Sequence, residues 1–204
     1  NLGETSSAPD GGNIILGDSG SIDYTRRDRK DVPGADTDPL DIDLIESVSG
    51  TAEGGADIIT TGSGSDLIIG GSFGDTIAAG AGNNLVIGDS GQITAASTDG
   101  PQLSGIPMTL GLVKTLRDED GGEDTITTGV GYDIILGGEG GDLIMANLGE
   151  TSSYLDVGNI VLGDHGLLDY TRSDRDGTAA GADTDPADLD LVMSLDEAVG
   201  GDDT

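Results

Sequence analysis

The chain has 204 residues, 37 of them glycine, with one phenylalanine, four tyrosines and no tryptophan; no core can rest on large aromatic side chains, and a thick globular interior is not expected. Eight Lys and Arg against 39 Asp and Glu leave a formal net charge of −31, which argues against a nucleic-acid partner and would drive a compact state apart unless cations neutralise it. There is no cysteine, hence no disulfide framework and no thiolate metal site, and no apolar run approaches the roughly 18 to 20 residues of a transmembrane helix.

Low hydrophobicity with high net charge is also the composition of a disordered chain; the order in the sequence argues otherwise. Asn1 to Ser7 reads NLGETSS, followed by Asn13 to Asp18, NIILGD, and the turn Gly17-Asp18-Ser19-Gly20. An arm outside any short repeat follows, Ser21 to Glu53, in which Gly20 to Tyr24 and Asp41 to Val48 are expected to pair as a hairpin that extends the sheet. It carries Arg26, Arg27, Arg29 and Lys30, and an acidic tight turn at Gly34 to Pro39.

Next comes a run with a nine-residue period: Asp57, Asp66, Asp75 and Asn84. Each is followed two residues later by an aliphatic side chain, Ile59, Ile68, Ile77 and Val86. After the turn Gly88-Asp89-Ser90-Gly91 a second arm spans Gln92 to Asp118, with a strand expected over Gly111 to Leu116 and the cations Lys114 and Arg117. The period then resumes at Asp124, Asp133 and Asp142, again with Ile126, Ile135 and Ile144 two residues on.

NLGETSS returns at Asn147 to Ser153, an offset of 147 − 1 = 146, and NIVLGD at Asn159 to Asp164 keeps that offset. The middle copy, NLVIGD at Asn84 to Asp89, divides the period into 84 − 13 = 71 and 159 − 84 = 75 residues. A third arm, Leu167 to Val199, repeats DYTR and GADTDP (Gly181 to Pro186), carries Arg172 and Arg175, and has its expected strand at Asp188 to Leu195. Gly200 to Thr204, GGDDT, restarts the run that GGEDT opens at Gly121 and places Asp203 in the ladder. The resulting division is 1–53 as the end of one module with its inserted arm, 54–120 and 121–199 as two further modules, and 200–204 as the start of the next, an excerpt from a longer array.

The stretch Thr61-Gly62-Ser63-Gly64-Ser65-Asp66-Leu67-Ile68-Ile69 shows the local logic. Glycine at alternate positions lets six residues curl into a tight loop rich in carbonyls. Three residues then run extended, the middle one, Ile68, pointing inward and its neighbours outward. Two nonapeptides complete a coil, so Asp57 faces Asp75, Asp66 faces Asn84 and Asp124 faces Asp142. Stacked carboxylates repel without a counter-ion. Calcium accepts six to eight oxygens at flexible angles and suits Asp and carbonyl donors, whereas zinc would want His or Cys, of which the chain has one and none.

Over Ala52 to Ile87 and Glu119 to Met145 the pattern resembles the G-G-x-G-x-D-x-U-x nonapeptide of RTX (hemolysin-type) calcium-binding proteins. The resemblance implies an all-β fold, a parallel β-roll or β-solenoid with hairpin insertions in tandem repeat, secreted and folded outside the cell around several calcium ions. Phe73 departs from the pattern where a turn glycine is expected, and Asn13, Asn84 and Asn159 stand for Asp, offering oxygen without charge. The displaced Asp18, Asp89 and Asp164 either add ligands or close the roll, and His165 reads as an exposed, incidental residue. Small propeller-like or sandwich modules strung along an axis are the alternative architecture.

The expected function is an extracellular calcium-binding structural repeat, a building block of a filament, tube or surface layer, with self-association or neighbouring modules as partners and attachment to a cell surface as an option. The alternative is an export and folding domain of a secreted enzyme or toxin, or an adhesin stalk. No catalytic activity is expected: H-E-x-x-H is missing, and the single His leaves no local triad. The arms hold all eight cations. They either dock on a neighbouring module or pair locally with adjacent Asp.

Overall fold

A computed structural model describes residues 10–25, 40–48, 53–96, 100, 102–116, 121–151, 158–172, 185, 187–195 and 201–204. Among these the chain is all-β, with no helix to cross a membrane. Numbered in chain order, β1 (Ile14–Leu16), β5 (Leu67–Ile69), β7 (Leu85–Ile87), β11 (Ile134–Leu136) and β13 (Ile160–Leu162) form one parallel sheet in that order. A second parallel sheet holds β4 (Ile58–Thr60), β6 (Thr76–Gly80), β10 (Thr125–Thr128) and β12 (Leu143–Met145).

The chain crosses from one sheet to the other every nine residues, so a full coil takes 85 − 67 = 18 residues and the architecture is a parallel β-roll. Parallel register sets each central aliphatic beside its counterpart on the next rung, Ile59 by Ile77 and Ile77 by Ile126, Ile68 by Val86 and Val86 by Ile135. These six, with Ala79, fill the interior of the roll. Phe73 takes the left-handed backbone, φ 70°, that Gly140 occupies at the same place in its own turn with φ 103°, which is why glycine is the expected residue there.

The arms do something different from extending the roll. Strands β2 (Gly20–Asp23), β3 (Leu44–Ser47), β8 (Gly91–Ala95), β9 (Leu110–Thr115), β14 (Gly166–Asp169) and β15 (Leu191–Ser194) form three antiparallel hairpins. The hairpins also pair with one another, β3 with β8 and β9 with β14, into one six-stranded sheet. Register carries an apolar row across all six strands: Ile22, Ile45, Ile93, Val113, Leu168 and Val192.

This arm sheet covers the outer face of the first roll sheet. Leu67, Ile69, Leu85, Ile87, Ile134 and Leu136, expected to point outward, are buried in one cluster with Ile45, Ile93, Val113, Leu110 and Leu168 of the arms. The second roll sheet keeps the expected outward side chains, Ile58 being 84% exposed. The described residues therefore form three layers and two apolar cores where the sequence implied one thin core. Glycine makes the close crossing possible: a Cβ on Gly20 or Gly91 would lie 2.5 Å from the side chain of Leu16 or Ile87, and on Gly166 2.2 Å from Leu162.

Spacing explains why the arms merge. They leave the roll after β1, β7 and β13, every second strand of the first sheet, and each contributes two strands to its own sheet. Neighbouring strands lie about 4.8 Å apart in any sheet. Two coils and one hairpin thus advance by the same distance, about 9.6 Å, and the 71- and 75-residue intervals each hold that pair of elements.

Candidate metal centre

The two edges of the roll differ. The edge that carries the arms stacks Asp57, Asp75, Asp124 and Asp142, at the entries of β4, β6, β10 and β12, followed by Asp203. The Asp57 N–H donates to Asp75 Oδ1 at 2.7 Å, Asp75 N–H to Asp124 Oδ1 at 2.7 Å, Asp124 N–H to Asp142 Oδ1 at 2.8 Å and Asp142 N–H to Asp203 Oδ1 at 3.0 Å. Two of these contacts, Asp75 to Asp124 and Asp142 to Asp203, bridge an arm and lie outside the 18-residue spacing that the sequence showed. The sequence signal for them is the restart of the Gly-Gly-x-Asp turn after each arm.

The second oxygens tell more. Asp75, Asp124 and Asp142 are at most 2% exposed, and their Oδ2 atoms are buried without a hydrogen-bond partner. Leaving a buried acceptor bare costs about 1–3 kcal/mol, and more when it is charged. Each Oδ2 lies against a glycine, together with the carbonyl of the next turn. A Cβ on Gly70 would come 2.4 Å from Asp75 Oδ2 and 2.0 Å from the Gly88 oxygen; on Gly88, 2.0 Å from Asp124 Oδ2 and 2.5 Å from the Gly137 oxygen; on Gly137, 2.2 Å from Asp142 Oδ2 and 1.9 Å from the Gly163 oxygen. Gly17 stands likewise against Asp57 Oδ2 and the Gly70 oxygen, and Gly163 against Asp203 Oδ2.

Burial, partly opposed by the N–H from the adjacent rung, pushes Asp75 up to about 7, Asp124 to about 8 and Asp142 to about 6, with neighbouring carboxylates adding to the rise. Asp89 is pushed up to about 9, first by burial and then by the nearby Asp124. Without a cation Asp89 and Asp124 hold their protons at neutral pH, Asp75 is near its midpoint and Asp142 is largely ionised. Carboxylate and carbonyl oxygens around a bare acceptor fit a hard dication. Among the described residues no three His, Cys, Asp or Glu side chains form a metal-holding group, so backbone carbonyls would have to complete any such site.

Asp18, Asp89 and Asp164 occupy a separate role. Asp18 accepts N–H groups from Gly55 at 3.1 Å and Ser72 at 2.6 Å, Asp89 from Gly122 and Glu139, and Asp164 from Gly201 at 3.2 Å. They pin the returning arm, and for the first two also the next full turn, which supports roll closure. His165 is 2% exposed, with Nδ1 3.1 Å from Thr115 Oγ1; the expected exposed residue is instead packed where the third arm crosses the second. Arg172 pairs locally with Asp169 at 3.7 Å, and Lys114 lies across from Gln92 on one side and Leu167 on the other in the arm sheet. The other six cations, the turn at Gly34 to Pro39 and most of its counterpart at Gly181 to Pro186 lie outside the described residues.

The opposite edge stacks Asn13, Asp66, Asn84, Asp133 and Asn159. Its backbone ladder has the same form: Asn13 N–H to Asp66 Oδ1 at 2.7 Å, Asp66 N–H to Asn84 Oδ1 at 3.1 Å, Asn84 N–H to Asp133 Oδ1 at 2.9 Å and Asp133 N–H to Asn159 Oδ1 at 2.8 Å. All thirteen residues singled out from the sequence thus fall on the two edges, five in each ladder and three at the arm roots.

No family model, curated protein or solved structure matches the chain.

Gly88→Ala tests the arm-bearing edge directly. The added methyl has to displace Asp124 Oδ2 and the Gly137 carbonyl, and overpacking of this kind costs about 1–3 kcal/mol. Calorimetric calcium titration and urea unfolding are expected to show loss of affinity and stability together. Gly55→Ala, where a Cβ meets nothing within 4 Å, is expected to change neither.

Proposed function

We propose that the chain is part of an extracellular, calcium-stabilised structural repeat protein whose modules stack end to end into a filament, tube or surface layer. The observation that carries this reading is the common step of the three sheets: two coils of roll and one two-stranded arm advance together, so a further module continues every sheet without a new kind of contact. Stacks of this kind grow in one dimension and gain from each neighbour interface. The bare edges of a roll are liabilities when free, and association with another module covers them.

Calcium is the neutralising partner in this proposal. Asp57, Asp75, Asp124, Asp142 and Asp203 would hold it with the carbonyls of Gly70, Gly88, Gly137 and Gly163. Bound there, it supplies positive charge between carboxylates that otherwise repel. The resemblance to RTX nonapeptides and the buried, partnerless Oδ2 atoms support the same ion by separate routes.

Electron microscopy of chains with two, four and six modules is the test. Rods that lengthen by about 9.6 Å per module and disappear in chelator are expected. Compact particles whose axial ratio does not change with module number would count decisively against a filament role.

A further inference from the structure

On the edge opposite the arms, we infer that the side-chain amides of Asn13, Asn84 and Asn159 stand in the place of cations, so that the turns they close bind no calcium. The inference rests on the calcium reading of the arm-bearing edge and divides the two edges by chemistry. Down the stack the order is Asn13, Asp66, Asn84, Asp133, Asn159. Two carboxylates never adjoin there, whereas the other edge stacks five in succession.

The middle turn shows how the substitution works. Asn84 Nδ2 donates toward Asp133 Oδ1 at 3.0 Å and lies 3.1 Å from the Gly82 oxygen and 3.3 Å from the Gly80 oxygen. Its own Oδ1 accepts the Asp66 N–H. Turning the amide over would set an oxygen among three oxygens and an NH2 against an N–H, so the hydrogen-bond chemistry admits one orientation. The amide therefore places a positive end among the oxygens of its turn, as a cation would be placed on the other edge: it gives Asp133 Oδ1, which already accepts the Asn84 N–H, a second donor and draws together the carbonyls of its own turn.

Asn13 repeats the arrangement, and Asn159 repeats the part of it that gathers the oxygens of the preceding turn. Asn13 Nδ2 donates to Asp66 Oδ1 at 2.8 Å and Asp10 Oδ2 at 3.0 Å, with the Gly11 oxygen at 3.3 Å. Asn159 Nδ2 donates to Asn147 Oδ1 at 2.7 Å and the Ala146 oxygen at 3.1 Å. Asparagine thus enters at β1, β7 and β13, the same alternate rungs from which the arms depart. The departure from Asp in the nonapeptide is a periodic feature of the module. Asp66 keeps one buried oxygen without a donor, so its own turn stays open to a cation and lies outside the inference.

The test counts calcium bound to the full chain by equilibrium dialysis for the parent, Asn84→Ala, Asn84→Asp, Asn13→Asp and Asp124→Asn. Asn84→Ala is expected to bind as many ions as the parent while unfolding at lower urea, and each Asn→Asp variant to bind one ion more. Fewer ions on Asn84→Ala, or no gain in either Asn→Asp variant, overturns the inference. Asp124→Asn is expected to lose at least one ion. If it loses none, or if the parent binds none, the calcium reading of the arm-bearing edge fails, while a gain on Asn84→Asp still upholds the amide substitution.

Discussion

Excess chelator at pH 8 is expected to unfold the roll, and bringing the same chelated sample to pH 5 is expected to restore much of its β-structure. Without calcium, Asp75, Asp89, Asp124 and Asp142 have folded values of about 7, 9, 8 and 6 against an ordinary 3.8. Between about pH 4 and 9 the folded chain therefore holds more protons than the unfolded chain, and stability falls as pH rises through that window. The stabilising species in acid is the neutral carboxyl, which removes both the burial cost of the charge and the repulsion between rungs. Each unit of displacement is worth about 1.4 kcal/mol, and four groups act in the same direction.

Calcium, as proposed, would reverse the sign. Bound to the ionised carboxylates of the folded form only, it would give a stabilisation that grows with concentration by linkage and weakens as protons compete at low pH. Circular dichroism across pH 5 to 9, with calcium and with chelator, should give two opposed trends. A chelated chain equally folded at pH 5 and pH 8 would refute the account of the aspartate ladder.

The second large effect lies in the arms. Ile93→Ala is expected to cost about 2–5 kcal/mol in saturating calcium, as much as Ile68→Ala in the roll interior, because each empties a fully buried site. Ile93 sits between Ile45 and Val113 in the apolar row of the arm sheet. Ile58→Ala, at a position 84% exposed, is expected to stay within about 0.5 kcal/mol of the parent. Urea unfolding monitored by circular dichroism separates the two outcomes. If the arms were appended hairpins, Ile93→Ala would behave like Ile58→Ala.

How much of this was legible beforehand differs from element to element. In a parallel roll each rung sets a residue on its own counterpart, so a nine-residue period in sequence is already a statement about contacts in space. Ile59, Ile68, Ile77, Val86, Ile126 and Ile135 could be read as the interior, and Asp57 could be paired with Asp75 and Asp124 with Asp142, from spacing alone. The hairpin of Gly20 to Tyr24 with Asp41 to Val48 was legible for a similar local reason.

The sequence carries one further signal. The strands Leu67-Ile68-Ile69, Leu85-Val86-Ile87 and Ile134-Ile135-Leu136 are apolar at every position, as strands buried on both faces are, while Ile58-Ile59-Thr60 and Thr125-Ile126-Thr127 carry threonine outward. That contrast points to a cover on the first roll sheet, although Leu143-Ile144-Met145 of the second sheet is apolar throughout and keeps Leu143 and Met145 exposed. It does not say by what, because the cover is made of pairings between arms far apart in the chain. Burial of His165 follows from the same packing.

By itself, then, the sequence determined the coil, its inward ladder and the stacking of like residues at its edges, since translation along a parallel stack turns local period into contact. Only the tertiary structure decided that the arms join into a third layer and that the two edges differ, one stacking carboxylates with no side-chain donor between them and the other interleaving asparagine amides that donate to the oxygens around them. The first depends on a hairpin being as wide as two coils, the second on where each side-chain oxygen finds a donor, and neither is written in any single repeat.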